Sequence, residues 1–276
     1  MSLSGWLRWG SWFVIGSCVG SFLNVCIYRM PREESIVKPR SRCPHCSHPI
    51  AWYDNVPILS YFLLGARCRH CHKSIHWRYP LVELLTGVLT IVVLRWFGIT
   101  PLGFIYLAFV WALIAVTFID IDFQIIPDEI SLGGLVAGLI LSLIVPQLHG
   151  TDHAWLGLWR AVVGALVGGG LLYGTGVVGT IIFRKEAMGG GDVKLLAMAG
   201  SLLGWKLMVL TFFLAPVLAI VPGLCVLVLK RSHVIPYGPF LALALALSLF
   251  VGPTIIRISG IEETVQVLWF YMKPGH

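Results

Sequence analysis

Residues 101–130 read PLGFIYLAFVWALIAVTFIDIDFQIIPDEI, an apolar run that ends in closely spaced carboxylates. The uncharged part, Pro101 to Ile119, is about as long as the roughly 20 helical residues that cross a bilayer core. An ionisable residue next to such a run is costly unless it lines a polar cavity. The stretch therefore predicts a transmembrane helix, and Asp120, which closes the run, is a functional candidate.

The whole chain has the same apolar character. Its 276 residues are 57% hydrophobic and 12% charged, and the mean hydropathy is +0.85. Soluble domains carry about 25% charged residues, so this chain falls outside that class. The runs do not alternate as barrel strands do, which predicts an all-α polytopic membrane protein. We predict eight transmembrane helices, at about residues 11–28, 80–97, 102–119, 130–145, 158–183, 192–204, 207–229 and 240–256.

The net charge of +7 is unevenly distributed. Nine of the twenty Lys and Arg residues lie between Arg29 and Arg78, which the positive-inside rule explains without a nucleic-acid partner. Loop 29–79 is thus predicted to be cytoplasmic, and alternation of the spans brings Asp120 and Asp192 to that face. We expect three segments: 1–28, a first transmembrane helix retained as an anchor; 29–79, a cytoplasmic loop; and 80–276, a transmembrane helical catalytic domain.

The cytoplasmic loop contains two C-x-x-C motifs, formed by Cys43 with Cys46 and by Cys68 with Cys71. Two such motifs at this separation are close to the four-cysteine zinc pattern. Four thiolates close the metal shell and leave no position for water, so the predicted zinc is structural and folds a loop that has little apolar core. Two disulfides or four free thiols are the alternatives, and a reducing compartment disfavours the disulfides.

A second acidic stretch, MGGGDVK at 188–194, opens another apolar run with Asp192. Two carboxyls that share a proton can activate water and polarise an amide carbonyl, as in aspartic proteases. Asp120 and Asp192 are therefore the candidate catalytic pair, and a proton- or ion-coupled transporter is the alternative. Asp128 follows Pro127 and suits a helix cap. Asp122 is ambiguous, since it lies on a different helical face from Asp120.

Two further features are candidates for substrate binding. Gly189, Gly190 and Gly191 would let the backbone approach a substrate closely and adopt conformations closed to other residues. Glu83, just inside the second predicted span, would receive a cation or a substrate amine. The alternative for Glu83 is a local ion pair with Arg78 or Lys73.

The chain resembles the type IV prepilin peptidases, membrane aspartic proteases with a G-x-G-D motif. The similarity is carried by four features in order: Gly20-Ser21-Phe22-Leu23-Asn24-Val25, the paired cysteine motifs, Tyr79-Pro80-Leu81-Val82-Glu83, and the two aspartate stretches. The resemblance places the catalytic pair at Asp120 and Asp192 and makes Asp128 a neighbour.

The resemblance also implies a substrate, a second reaction and a location. The substrate would be a prepilin or pseudopilin of a type IV pilus or type II secretion system. Its basic leader would be cleaved after a glycine at the cytoplasmic face of the bacterial inner membrane. The new N-terminal residue would then be methylated from S-adenosylmethionine. The sequence has no Rossmann-type glycine motif, so we assign no residues to the methyl donor.

Overall fold

The computed structural model describes residues 3–185, 188–230 and 236–258, and the regular structure in these ranges is helical apart from two isolated β-bridges. Each of the eight predicted apolar segments forms an α-helix, and one short α-helix and three 3₁₀ helices of the described residues were not predicted. The helices are α1 (Leu3–Arg29), α2 (Leu59–Leu63), α3 (Arg78–Phe97), α4 (Pro101–Phe123), α5 (Asp128–Ile144), α6 (Ala154–Phe183), α7 (Gly190–Leu203), α8 (Trp205–Lys230) and α9 (Gly238–Ile258).

Five of the described helices are long and apolar enough to span a membrane: α1, α3, α4, α6 and α9. The predicted all-α membrane fold is thereby confirmed at this level. Helix α5 has 17 residues and α7 has 14. At 1.5 Å per residue α7 extends about 21 Å, less than the ~30 Å hydrocarbon core. The count of eight spans stays a prediction.

The chain divides into two compact units, Met1–Pro127 and Asp128–His276. The first contains α1, α3 and α4, which pack on one another, together with the cysteine loop. The second contains α5 to α9. The division into 1–28, 29–79 and 80–276 was predicted from the change in polarity along the chain. It stays a prediction.

Helices α1 and α3 pack closely through small residues. A Cβ on Gly20 would lie 2.7 Å from the Cα of Glu83, and one on Gly87 would lie 2.5 Å from Ser17 Oγ. Asn24 Nδ2 donates to the Tyr79 carbonyl at 3.1 Å. The first-helix signature Gly20 to Val25 therefore lies directly against the Tyr79 to Glu83 motif, which small residues make possible in membrane helices.

Helix α7 is the core of the second unit and contacts α5, α6, α8 and α9. From Leu195 to Leu203 every residue of α7 except Ala197 is buried, and Leu195, Leu196 and Ala199 have no exposed surface. A helix that is apolar all round is typical of such an interior position. This position fixes Asp192, at the N-terminal end of α7, within the packed part of the unit.

Candidate active site

Asp120 lies one turn before the C-terminal end of α4. That helix begins at Pro101, where the Thr100 side chain accepts from the Gly103 N–H at 3.1 Å, and ends at Phe123, followed by the C-cap Gln124, whose φ of 54° is left-handed. Pro at the first position and a polar cap fix such a helix start. Asp120 is only 6% exposed, so a carboxyl group is held in a buried position at a defined helix end.

Asp122, two residues further on, is engaged in an ion pair. Its carboxylate accepts from the guanidinium of Arg78 at the start of α3, and Arg78 Nη2 also donates to the Phe118 carbonyl at 2.6 Å. Asp122 is thus a structural partner of α3. The expected alternative of an Arg78–Glu83 pair is replaced by this contact, because α3 presents Arg78 to α4.

Asp192 is the third residue of α7, and Gly189 is the N-cap. The carboxyl is 9% exposed, and a Cβ on Gly189 would lie 3.1 Å from Asp192 Oδ2. The N-terminal end of a helix favours negative charge. Burial, together with the charge of Asp192, raises the pKa of Tyr237 to about 12.

The glycines before Asp192 act differently from one another. Gly189 has φ −70° and ψ 134°, which any residue adopts, so its predicted special conformation is wrong and its need for a small side chain comes from Asp192. A Cβ on Gly190 would meet no atom within 4 Å, so the space beside Gly190 is open. Gly190 and Gly191 form the first turn of α7.

Asp128 is the first residue of α5 and forms an ion pair with Lys194 of α7. Lys194 Nζ donates to both carboxylate oxygens, at 2.7 and 3.0 Å. The pair holds the start of α5 beside the first turn of α7, two residues from Asp192. Asp122 and Asp128 therefore each form an ion pair, with Arg78 and Lys194 respectively. Of the two buried aspartates, Asp120 lies in the first unit and Asp192 in the second.

The four cysteines of the loop come together as predicted. Their Sγ atoms all lie within 4.8 Å of one another, and Cys43 and Cys71 are 3.8 Å apart. A tetrahedral zinc site with Zn–S bonds of 2.3 Å would separate its sulfurs by about 3.8 Å, whereas a disulfide bond measures about 2.05 Å. The donor set can therefore hold a metal ion, and all four cysteines are free thiols in this arrangement.

The two cysteine motifs are one structural unit used twice. In the first, the N–H of Cys43 donates to His48 and that of Ser47 to Cys43; in the second, Cys68 donates to Lys73 and His72 to Cys68. Ser47 and His72 both have left-handed backbone, with φ of 57° and 54°. The sequence repeat R-C-x-H-C-x-x-x-I, at 42–50 and again 25 positions later, is the signal for this duplication, which was not predicted above.

The thiols of the cluster differ in acidity. The backbone N–H groups of Cys71 and His70 lower the pKa of Cys68 to about 7. At Cys46 the backbone of His48 acts in the same direction, but desolvation and the neighbouring thiols raise its pKa to about 11. Four thiolates this close repel one another, and a bound divalent cation removes that repulsion.

Glu83 is 8% exposed and binds the loop that precedes α3. Its Oε2 accepts from the backbone N–H of Ile58 at 2.7 Å, and its carboxylate also accepts from Ser21 of α1. Ile58 is the centre of a γ-turn with φ 63° and ψ −54°, in which Leu59 N–H donates to the Pro57 carbonyl at 2.6 Å. Positive-φ γ-turns are rare and strained, so Glu83 stabilises an unfavourable backbone conformation.

Fold and site together define an all-helical membrane protein with two buried aspartates at helix ends and a four-cysteine loop. Residues 14–97 match the family model of the Bacterial Peptidase A24 N-terminal domain, and residues 107–224 match that of the Type IV leader peptidase family. No solved structure gives a significant match.

Curated relatives carry the same assignment. Proteins named "Prepilin leader peptidase/N-methyltransferase" are 44% identical in Myxococcus xanthus, 35% in Aeromonas salmonicida and 35% in Pseudomonas aeruginosa. The alignments cover 78%, 91% and 88% of this chain and 62%, 94% and 90% of the three relatives. The chain therefore belongs to the type IV leader peptidase family and is an enzyme of the peptidase class.

Proposed function

We propose that this enzyme removes the basic leader from type IV prepilins or pseudopilins, using Asp120 and Asp192 as its two catalytic carboxyls. The observation that carries the proposal is the burial of one carboxyl in each of the two acidic stretches. Asp120 is 6% exposed and Asp192 is 9% exposed, and each lies near the end of an apolar helix. The curated relatives are named for this reaction.

The proposed reaction is general acid–base hydrolysis of a peptide bond after glycine. One carboxylate takes a proton from water as its oxygen attacks the carbonyl carbon, and the other carboxyl hydrogen-bonds to the carbonyl oxygen. The C–N bond then breaks and the leaving nitrogen receives a proton. The open space beside Gly190 supports the predicted role of the glycines 189 to 191 in admitting an extended substrate backbone.

We place the chemistry at the cytoplasmic face of the inner membrane, with eight spans and the cysteine loop on the same side. The Arg78–Asp122 pair supports this for the first unit, because it joins the end of the loop to the end of α4 that carries Asp120. The basic residues of the loop then satisfy the positive-inside rule. The lipid bilayer, a prepilin and the pilus or secretion machinery are the proposed partners.

We propose structural zinc at Cys43, Cys46, Cys68 and Cys71. The support is the separation of the sulfur atoms and the four-thiolate donor set, which tetrahedral S₄ sites offer to zinc or iron. A closed shell gives the metal no catalytic position. The metal would hold the two C-x-x-C motifs of the loop together.

We also propose that the enzyme methylates the new N-terminal amine, with S-adenosylmethionine as methyl donor. The support is the second half of the relatives' printed name. This activity requires a binding site for the donor in addition to the two carboxyls.

The test is to incubate detergent-solubilised protein with a purified prepilin and to read the product N-terminus by mass spectrometry. Asp120→Asn and Asp192→Asn should each lower the cleavage rate by at least about 10²-fold, the lower bound for general acid–base catalysis. Asp152→Asn, an exposed change between α5 and α6, is the matched control and should cleave normally. Full cleavage by either of the first two variants would refute the assignment. Proton or ion flux in sealed vesicles without cleavage would favour the transporter.

A further inference from the structure

A cavity of about 690 Å³ lies in the first unit, between the end of α1, the cysteine loop and the start of α3. Its described lining residues run from Ser21 to Glu83, all inside the matched N-terminal domain at 14–97. Asp120 and Asp192 fall in the other matched region, at 107–224. Neither aspartate is among the lining residues, so the cavity does not include the proposed peptidase carboxyls.

The cavity contains a buried carboxyl group, that of Glu83, which forms no ion pair in the described part of the chain. Glu83 lines it, and its hydrogen bonds come from the Ile58 N–H and the Ser21 hydroxyl. Among the described residues, no ion pair includes Glu83. Arg78, the basic residue at the start of the same helix, forms its ion pair with Asp122. Because a buried carboxylate is costly without an opposite charge, the site favours a cationic ligand.

The remaining walls suit a purine and a carboxylate. Tyr28, Tyr53 and Tyr79 line the cavity, and aromatic rings stack on a base or face a cation. His48 and His70 bring a further aromatic surface, with ring centroids 3.4 Å apart. Positive charge for a carboxylate comes from four basic lining residues, Arg29, Arg42, Arg69 and Lys73. The volume is within the range of about 300 to 1,000 Å³ of small-molecule sites.

We propose that this cavity binds S-adenosylmethionine, with Glu83 facing the cationic sulfonium and ammonium groups. The inference rests on the proposed N-methylation and assigns its donor site. In the transfer, the free N-terminal amine attacks the methyl carbon, the N–C bond forms and the S–C bond breaks. The sulfonium becomes a neutral thioether, and the methylated amine releases one proton to water.

The test measures ligand binding by equilibrium dialysis on the full chain in detergent, so it does not depend on catalysis. Two probes are used: S-adenosylmethionine, and 5′-methylthioadenosine, which keeps the adenosine and the thioether but has no charge. Glu83→Gln keeps an acceptor for Ile58 and should weaken S-adenosylmethionine about tenfold, the value of one charged hydrogen bond, with little effect on methylthioadenosine. Glu33→Gln, an exposed acid outside the lining, is the matched control.

A second variant fills the cavity. Ala51 lines it and has φ −66° and ψ 150°, which suit any side chain, so Ala51→Trp should weaken both probes by tenfold or more. Val37→Trp, on an exposed residue outside the lining, should bind both normally.

The outcomes separate this inference from the proposed function. Unchanged donor binding in both Glu83→Gln and Ala51→Trp overturns the inference. So does a loss of prepilin-leader binding in these variants with donor binding intact, which would make the cavity a substrate site. A protein that cleaves prepilin but binds no donor refutes the donor site alone. Donor binding with the expected variant pattern, but no cleavage, supports the donor site and refutes the peptidase proposal.

Discussion

Replacing Gly20 by Ala tests the close packing that joins the first helix to Glu83. A Cβ at this position would lie 2.7 Å from Glu83 Cα and 3.0 Å from Thr86, whereas ordinary contacts begin at 3.4 Å. The first atom belongs to the backbone, so α1 and α3 must move apart to admit the methyl group. Overpacking of this kind costs about 1 to 3 kcal/mol.

The displacement has a functional consequence as well as an energetic one. Ser21 and Asn24 reach Glu83 and the Tyr79 carbonyl from the same turn of α1, and moving α1 outward lengthens both hydrogen bonds. Gly20→Ala should therefore lower the apparent melting temperature, by about 2 to 4 °C for each kcal/mol lost. It should also weaken S-adenosylmethionine binding, because Glu83 lines the proposed donor cavity.

Gly10→Ala is the matched control in the same helix, because a Cβ there meets no atom within 4 Å. It should leave the melting temperature unchanged or raise it, since Ala is the better helix former by about 1 kcal/mol. Both variants are compared by scanning fluorimetry and equilibrium dialysis in the same detergent. Equal melting temperatures and equal donor affinities would refute the packing argument.

Three further predictions concern the metal, one ion pair and pH. Elemental analysis should find about one zinc per chain and much less in Cys46→Ser; reduced protein without metal would contradict the zinc proposal. Lys194→Gln should cost no more than about 1 kcal/mol of stability, because exposed ion pairs are weak, and reversing both charges of the Asp128–Lys194 pair should restore it; a larger loss in thermal unfolding would show that the pair does more. Burial lowers the pKa of His149, whose ring bonds to the Ser201 carbonyl at 3.1 Å. The unfolded state therefore takes up a proton first as pH falls below about 6.5, so stability should decrease there, and His149→Gln should remove that part of the pH dependence.

The helices and the cysteine cluster could be predicted because their signals are local. Apolar runs determine the helices, and two C-x-x-C motifs 25 positions apart bring four thiols together. The short helix α2 carries no such signal, since five residues are fewer than two helical turns. Its position depends on the turn at Ile58, which is bound by Glu83.

The roles of the charged residues could not be predicted in the same way, because partners are chosen by packing across the chain. Arg78 had Glu83 five positions away on its own helix, yet it pairs with Asp122, 44 positions away. Glu83 lies on α3 and Asp122 on α4. The packing of α3 on α4 decides which of the two carboxylates Arg78 contacts. Sequence spacing therefore identified the charged groups without assigning their pairs.

Glu83 shows why the charge and the shape of one side chain must be tested separately. The sequence offered a cation site or an ion pair, whereas the structure adds a hydrogen bond to the strained turn at Ile58. Strain of this kind costs about 1 to 3 kcal/mol and needs support from its surroundings. Glu83→Ala would remove the support and the charge together, whereas Glu83→Gln keeps an oxygen for the Ile58 N–H and removes only the charge. A donor affinity lost in both variants points to electrostatics, and one lost only in Glu83→Ala points to the turn.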